Sequence, residues 1–178
     1  MEFTRLTLTD LKITVNQIDI VIGPNVSTGD VQLVTKSIVD TATEKNVRRF
    51  YGPGEYEAQG VMIDGVSAGS DDISYQLINE GIAIAALSIE NLAALSDEVV
   101  DHLQPAHILC IWLETGSAQD FTALMGRFES SVIIPIKLPL EIPEIEKELQ
   151  LKSEALQKVK LGSKDIGTDV RRLISLEA

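Results

Sequence analysis

The sequence is poor in the residues that form disulfides and soft-metal sites. Its 178 residues include one cysteine, Cys110, and two histidines, His102 and His107. A single cysteine excludes an intramolecular disulfide and a cysteine-rich zinc site. Cys110 lies in an apolar run, so we expect a small residue of the hydrophobic core.

Cationic side chains are also scarce. Lysine and arginine together number 15 against 27 aspartates and glutamates, which gives a net charge of −12 and an isoelectric point near 4.5. Phosphate groups are bound by clusters of basic residues, so this composition argues against nucleic acid and against an anionic membrane surface as partners. The simplest interpretation of the acidity is solubility.

Several functional segments are missing from the sequence. No apolar run approaches the roughly 18 residues of a membrane span, and residues 1–5 lack the charged and apolar regions of a signal peptide. Neither a Gly-x-Ser-x-Gly elbow nor a Walker-type glycine-rich loop occurs. With an apolar fraction of 44%, we expect one globular, cytoplasmic domain spanning residues 1–178.

The hydrophobic pattern predicts strands first and alternating strands and helices later. Alternation over residues 3–22 predicts a β-meander with a hairpin turn at Asn16 and Gln17. An N-cap serine, Ser96, precedes a predicted helix at 97–103. Further strands are predicted at 31–35, 48–51, 60–66, 73–78, 82–87, 108–113, 131–136, 159–161 and 170–176, further helices at 118–128 and 144–151, and a loop or short helix at 38–46. This order predicts a layered α/β domain with a mixed sheet.

The most distinctive stretch is a turn signal at residues 51–60. Three glycines and Pro53 fall between residues 52 and 60, and such residues favour a tight turn because proline fixes φ and glycine accepts positive φ. Glu55 and Tyr56 lie within it. An alternating apolar segment follows directly.

These residues resemble a known family. Gly52-Pro53-Gly54-Glu55-Tyr56-Glu57, followed by residues 60–65, resembles a signature of small bacterial metallo-β-lactamase-fold proteins related to ascorbate-6-phosphate lactonase. Weaker matches extend over nearly the whole chain, at residues 73–78, 80–84, 95–98, 108–113, 132–135 and 160–165. The resemblance implies an αββα sandwich, of α/β or α+β class, in which two mixed β-sheets are flanked by helices. In the family, two metal ions lie at one edge of the sandwich, in loops at strand ends.

The metal ligands of this family are replaced in the present sequence. The motif His-x-His-x-Asp-His corresponds to residues 36–41, where only the aspartate is kept. The positions that the resemblance identifies as a vestigial metal site are Lys36, Ile38, Asp40, Thr41, Ala86, Ile89 and Lys137. Isoleucine and alanine have no lone pair to donate, and a protonated lysine repels a cation. We therefore expect a degenerate member without a metal cofactor, in which His102 and His107 are ordinary surface or strand-edge residues.

Three arrangements remain open for the vestigial site. Lys36 or Lys137 could form an ion pair with Asp40, because a buried aspartate is costly unless it is paired. Both lysines could instead point to solvent, or they could bind an anion such as phosphate. In each case the turn at residues 52–56 is interpreted as a structural corner, where Glu55 and Tyr56 hydrogen-bond neighbouring backbone.

Two functions are compatible with the sequence. The first is a pseudoenzyme that acts as a structural or interaction subunit, bound to a protein partner or to further copies of itself. Its contact surface could include residues 138–143, although an ordinary loop is the simpler interpretation. The second is a lactonase-like or phosphoesterase-like hydrolase with a metal-independent or rebuilt site. A rebuilt site would offer Mg²⁺, Mn²⁺ or Ca²⁺ the oxygens of Asp40, Glu55, Glu57, Asp71 or Asp72, although a solvated loop is the simpler interpretation of the last two.

Overall fold

Two packed β-sheets form the body of the molecule. A computed structural model describes residues 1–36, 48–69, 71–167 and 171–177, so the expectation for residues 38–46 lies outside the described residues. Six strands form the smaller sheet, in the spatial order β13 (Lys158–Lys160), β1 (Glu2–Arg5), β2 (Leu11–Val15), β3 (Ile18–Gly23), β4 (Val31–Val34) and β5 (Arg48–Phe50).

In the part of the chain that the structure describes, the larger sheet has eight strands. Their spatial order is β12 (Ser153–Leu156), β14 (Arg172–Leu176), β11 (Val132–Lys137), β10 (Ile108–Leu113), β9 (Ile82–Ile89), β8 (Ile73–Asn79), β7 (Val61–Ser67) and β6 (Gly54–Ala58). Both sheets are mixed. In the larger one, β9, β10, β11, β14 and β12 run parallel, whereas β6 to β9 pair antiparallel.

Within the described ranges, three α-helices cover the outer face of the larger sheet: α1 (Asp97–His102), α2 (Ala118–Arg127) and α3 (Ile142–Leu149). The starts of α1 and α2 follow from side-chain capping, whereas α3 has no side-chain cap and carries Pro143 in its first turn. The hydroxyl of Ser96 accepts from the backbone N–H of Val99, and Ser117 and Asp120 form a reciprocal capping box. Among the described residues, none of these helices is long and apolar enough to cross a membrane.

The main hydrophobic core lies between the two sheets, and a second lies between the larger sheet and the helices. Strands with one face on each core are buried throughout; all residues of β9 and β10 are buried. Cys110 is fully buried in the first core, as the sequence predicted, and burial raises the pKa of its thiol.

Most predicted elements are confirmed, and two strands were missed. The hairpin turn falls at Asn16 and Gln17, with positive φ at both residues, and the turn between β8 and β9 falls at Glu80 and Gly81. The expected turn at residues 52–60 was wrong in part. Residues 54–58 form the edge strand β6, because they pair antiparallel with β7 despite their glycine and proline content. Strand β12 also lacked a clear hydrophobic pattern, since its residues are partly exposed.

Candidate functional site

The carboxyl ends of several strands meet at one edge of the sandwich. Strands β9, β10 and β11 are parallel neighbours, so their carboxyl ends lie side by side. Strand β4 of the other sheet ends at the same place, because the N–H of Ile73, at the start of β8, donates to the carbonyl of Thr35 at 2.9 Å. Such edges are where α/β proteins place their binding sites.

Four charged side chains form a network at this edge. Lys36 follows β4, and its ammonium lies 2.7 Å from Asp72 Oδ1 and 3.9 Å from Glu114 Oε1. Glu114 follows β10, and its second oxygen accepts from the ammonium of Lys137 at the end of β11. We call these four residues the lysine–carboxylate network. It contains two positive and two negative charges and joins the two sheets.

Asp72 is the most deeply buried member of the network. Its side chain is 6% exposed, whereas that of Lys36 is 31% exposed. The buried hydroxyl of Ser88 donates to Asp72 Oδ1 at 2.9 Å. The carboxylate therefore receives both an ammonium and a hydroxyl, which compensates for the solvent that burial removes.

Hydrogen bonds between the sheets hold this edge in place. The hydroxyl of Tyr75, on β8, donates to the carbonyl of Val34 at 2.8 Å. The indole N–H of Trp112, on β10, donates to the carbonyl of Thr9 at 2.6 Å. Arg5 Nη2 donates to the carbonyl of Ile136 at 2.6 Å, one residue before Lys137. Each donor lies on a strand of one sheet, and its acceptor lies on the other sheet or, for Thr9, in the loop between β1 and β2.

The structure brings together some of the predicted site positions. Lys36 and Lys137 converge on Glu114, so the strand-end loops do meet as the resemblance implied. Ala86 packs in the core between the sheets, but Ile89 packs on the opposite face of β9, against the helices. Ile38, Asp40 and Thr41 lie outside the described residues, so the pairing of a lysine with Asp40 stays a prediction.

Several finer expectations need correction. The lysines do not simply point to solvent, because both contact carboxylates. The sequence interpretation of Asp71 and Asp72 as a solvated pair was wrong for Asp72, which is buried, and correct for the exposed Asp71. Asp72 and Glu114 were missed as partners of the lysines. A usable signal existed for Glu114, which comes directly after the carboxyl end of a fully buried strand.

The turn at residues 52–56 behaves as a structural corner. Tyr56 donates its hydroxyl hydrogen to the carbonyl of Gly52 at 3.0 Å and stacks on Phe50, with ring centroids 4.1 Å apart. The carboxylate that bonds neighbouring backbone is that of Glu57, which accepts from the N–H of Gly60 at 2.6 Å, and not that of the exposed Glu55. The expectation for Tyr56 is thus confirmed.

Both histidines have structural contacts. His102, at the end of α1, places Nε2 2.9 Å from Asp64 Oδ2. His107 accepts at Nδ1 from the N–H of Ala83 at 2.9 Å. These contacts bind each ring to a neighbouring strand, away from the lysine–carboxylate network.

The residues of the network do not fit a catalytic metal ion. Zinc and related metals need several lone-pair donors that converge on the ion. Here two of the side chains are ammonium groups, and the two carboxylates are already paired with them. Within the described ranges, no group of three or more His, Cys, Asp or Glu side chains could hold a metal.

Solved structures with the same architecture have been assigned as metal-dependent hydrolases. A Thermotoga maritima protein, assigned as a zinc-dependent hydrolase of the metallo-β-lactamase superfamily, matches with a TM-score of 0.80 and 19% identity over 99% of both chains. A Parabacteroides distasonis protein, assigned as a metal-dependent hydrolase, has a TM-score of 0.64 and 14% identity, over 96% of this chain and 91% of that one. Igni18, a metallo hydrolase from Ignicoccus hospitalis, has a TM-score of 0.60 and 11% identity, over 84% and 90%.

These similarities define the fold. No model of a known protein family matches the chain, and no curated protein matches it in sequence. At identities below 20%, the similarity speaks for architecture alone. The protein is an α+β sandwich of two mixed sheets with the metallo-β-lactamase fold.

Proposed function

We propose that this chain is a catalytically inactive protein of the metallo-β-lactamase fold, of the bacterial type related to ascorbate-6-phosphate lactonase, and that it acts as a structural or interaction subunit. The observation that supports the proposal is the lysine–carboxylate network. The sequence resemblance assigns Lys36 and Lys137 to two ligand positions of the family. In the structure their ammonium groups neutralise Asp72 and Glu114. A cation that entered this edge would meet two positive charges and displace two existing ion pairs.

The proposal separates the fold from its hydrolytic chemistry. In this fold family, metal ions activate water and polarise the bond to be cleaved. Lysine ammonium groups can balance the same negative charges, but they neither coordinate water as a metal does nor form an open coordination site. The charges at this edge are therefore balanced, but the edge cannot support metal-dependent hydrolysis. The role that remains for the protein is binding to a partner.

Metal loading and hydrolysis test the proposal together. The purified protein is incubated with Zn²⁺ or Mn²⁺, passed through a desalting column and measured by elemental mass spectrometry. We expect far less than one ion per chain and no hydrolysis of lactone or phosphoester substrates. Stoichiometric metal, with an activity that Asp72→Asn or Asp40→Asn abolishes, would overturn it. Glu148→Gln on the exposed face of α3 is the control for loss of one carboxylate.

A hydrolase with a rebuilt site is the second candidate. It is favoured by the two carboxylates, Asp72 and Glu114, which lie close enough to share Lys36, and by the assigned activities of the neighbouring structures. Glu55 and Glu57 are not part of such a site. They lie on β6, in register with Asp64 and Met62, whereas Asp72 precedes β8 by one residue.

A further inference from the structure

A groove opens on the outer face of the larger sheet, where the helices do not cover it. Its volume is about 540 Å³, and it lies across β6, β7 and β8. Its lining includes Glu55, Glu57, Met62, Asp64, Gln76 and Ile78, together with Tyr56 and Ile63 of the same strands. Helix α1 bounds the groove on one side through the contact of His102 with Asp64, and the edge strand β6 bounds it on the other.

The strand register divides the groove into two rows of side chains. Glu57 pairs with Met62, which pairs with Ile78. In the next row on the same face, Glu55 pairs with Asp64, which pairs with Gln76. Directly opposite side chains in antiparallel strands lie about 5 Å apart. The floor of the groove is therefore an apolar patch beside an acidic one.

The acidic row carries unbalanced negative charge. Glu55 and Asp64 are directly opposite each other, and like charges in this position are destabilising. Among the described residues, Asp64 has the imidazole of His102 within ion-pair distance. Glu55 has no lysine, arginine or histidine of the described residues within that distance. A cation from outside would relieve this repulsion.

The apolar row is exposed at its centre. Met62 is 56% exposed, although it lies in the middle of a sheet face, and the side chain of Ile78 is partly buried beside it. Methionine is common at surfaces that bind partners, because its flexible thioether adapts to different side chains. Strand β6 also has a hydrogen-bonded neighbour on one side alone within the described residues, which leaves the groove open toward the edge.

We propose that this groove binds a basic amphipathic segment of a partner protein. The segment places an apolar side chain on Met62 and Ile78 and a lysine or arginine beside Glu55 and Asp64. The inference rests on the proposed function, since it gives an interaction subunit its contact surface. Charge complementarity selects this occupant, because the groove offers carboxylates and an apolar floor, and within the part of the chain that the structure describes it has no lysine or arginine in its lining.

Binding of a defined peptide tests the proposal. The probe is a short synthetic peptide of alternating leucine and lysine, labelled for fluorescence anisotropy, and its counterpart has glutamate in place of lysine. We expect the intact protein to bind the lysine peptide and not the glutamate peptide. Met62→Lys should weaken binding by about tenfold or more, because it removes the apolar floor and adds a like charge.

Matched variants separate the groove from general attraction to an acidic protein. Leu8→Lys adds the same charge at a more exposed apolar residue, 73% exposed, outside the groove. Likewise, Glu55→Gln and Glu148→Gln each remove one exposed carboxylate, but Glu55 alone lies in the groove. We expect Leu8→Lys and Glu148→Gln to bind as the unmodified protein does, and Glu55→Gln to bind more weakly.

Three results would overturn the proposal. The first is that a groove variant and its control weaken peptide binding equally, either Met62→Lys and Leu8→Lys or Glu55→Gln and Glu148→Gln. The second is that the glutamate peptide binds as tightly as the lysine peptide. The third is a dimer in light scattering that Met62→Lys dissociates and Leu8→Lys does not. The last would make a second copy the occupant. Far-ultraviolet circular dichroism verifies that each variant is folded. Failure of the proposed function is distinguishable, because metal loading and hydrolysis are measured at the lysine–carboxylate network and do not involve the groove.

Discussion

At the scale of single residues, Asp72 determines how the strand-end edge is balanced. A buried carboxylate needs compensation, and Asp72 receives it from Lys36 at 2.7 Å and from Ser88 at 2.9 Å. Glu114 extends the same compensation to Lys137. The ion pairs are only partly exposed, so they are less screened than pairs on the open surface.

Lys36→Met removes the ammonium while keeping much of the apolar stem. Asp72 is then buried without a cation, and we expect the free energy of unfolding to fall by about 2 kcal/mol at neutral pH. Urea denaturation followed by circular dichroism measures the change. Lys152→Met is the matched control, because Lys152 is 94% exposed and lies 3.9 Å from Glu146; it should change stability by less than about 0.5 kcal/mol.

A double variant checks the cause of this loss. Adding Asp72→Asn to Lys36→Met removes the unpaired charge, so the double variant should be more stable than Lys36→Met alone. If the changes in the free energy of unfolding caused by the two substitutions are additive, the ammonium and the carboxylate do not stabilise each other. The network would then make no energetic contribution to the fold.

Sequence reasoning found one half of this network. Lys36 and Lys137 could be identified because a resemblance gave their positions. The carboxylate partners were missed, because a partner depends on which strand ends meet in space, and local pattern carries no information on pairs far apart in the sequence, such as Lys36 and Asp72. Glu114 did have a local signal, its position directly after a buried strand. The neighbour Asp71 and the loop before it made Asp72 resemble a solvated residue.

At the scale of elements, strand β7 requires a glycine at position 65. A Cβ there would lie 2.9 Å from the carbonyl oxygen of Gly52 and 3.1 Å from the ring of Tyr75. The turn before β6 can therefore approach β7 only because this position lacks a side chain. The ring of Tyr75 packs over the same glycine, and its hydroxyl lies within hydrogen-bond distance of the carbonyls of Val34 and Phe50.

Gly65→Ala should lower the free energy of unfolding by about 1–3 kcal/mol, since the backbone of the turn must shift to admit a methyl group. Gly126→Ala is the control. Gly126 is exposed on α2, and a Cβ there meets no atom within 4 Å, so alanine should raise stability by up to about 1 kcal/mol. Thermal and urea unfolding of both variants measures the change in the free energy of unfolding, which should be a decrease for Gly65→Ala and an increase for Gly126→Ala. Equal destabilisation by both would contradict the close approach at β7.

The pairing of β12 with β14 should make stability sensitive to acid. Hydrogen bonds from Arg172 to both carboxylate oxygens lower the pKa of Glu154, which faces it across these two strands. Because the folded pKa lies below the unfolded value of about 4.3, the stabilisation is complete at higher pH and is lost as pH falls through the folded pKa.

Glu154→Gln should therefore reduce stability at neutral pH, and its stability should converge with that of the unmodified protein as the pH falls through the lowered pKa of Glu154. Urea midpoints measured from neutral pH downward into acid follow this convergence. Glu148→Gln removes a carboxylate outside the pair and controls for net charge. A difference between Glu154→Gln and the unmodified protein that persists unchanged into acid would contradict the assignment to this ion pair.

Local sequence signals predicted an element best where a single feature, such as an N-cap serine or a two-residue turn, determines where it begins or ends. Serine caps at residues 96 and 117 set the starts of α1 and α2, and two-residue turns set the β2–β3 and β8–β9 hairpins. Strand β6 was missed because its glycine and its neighbouring proline favour a turn, and only pairing with β7 makes it a strand. Pairing is a tertiary effect that overrides local preference.

At the scale of the whole molecule, the chain interleaves its two sheets. Between β12 and β14 of the larger sheet, it returns to the smaller sheet to add β13 beside β1. Arg5, on β1, donates to the carbonyls of Ile136 and Leu176 in the larger sheet. The smaller sheet gains its last strand, β13, only after β12 of the larger sheet has been made, and the larger sheet gains β14 only after β13. This order along the chain favours a single folding unit over residues 1–178.

We therefore expect the two sheets to unfold in one cooperative transition. Trp112, the single tryptophan, is buried in the core between the sheets, and its indole N–H donates to the carbonyl of Thr9. Its fluorescence reports separation of the sheets, while far-ultraviolet circular dichroism reports loss of strands and helices. The two urea curves should coincide in the unmodified protein and shift together in Lys36→Met, because the lysine–carboxylate network joins both sheets. A fluorescence transition that precedes the loss of secondary structure would mean that the sheets separate before they unfold, and residues 1–178 would then contain two folding units.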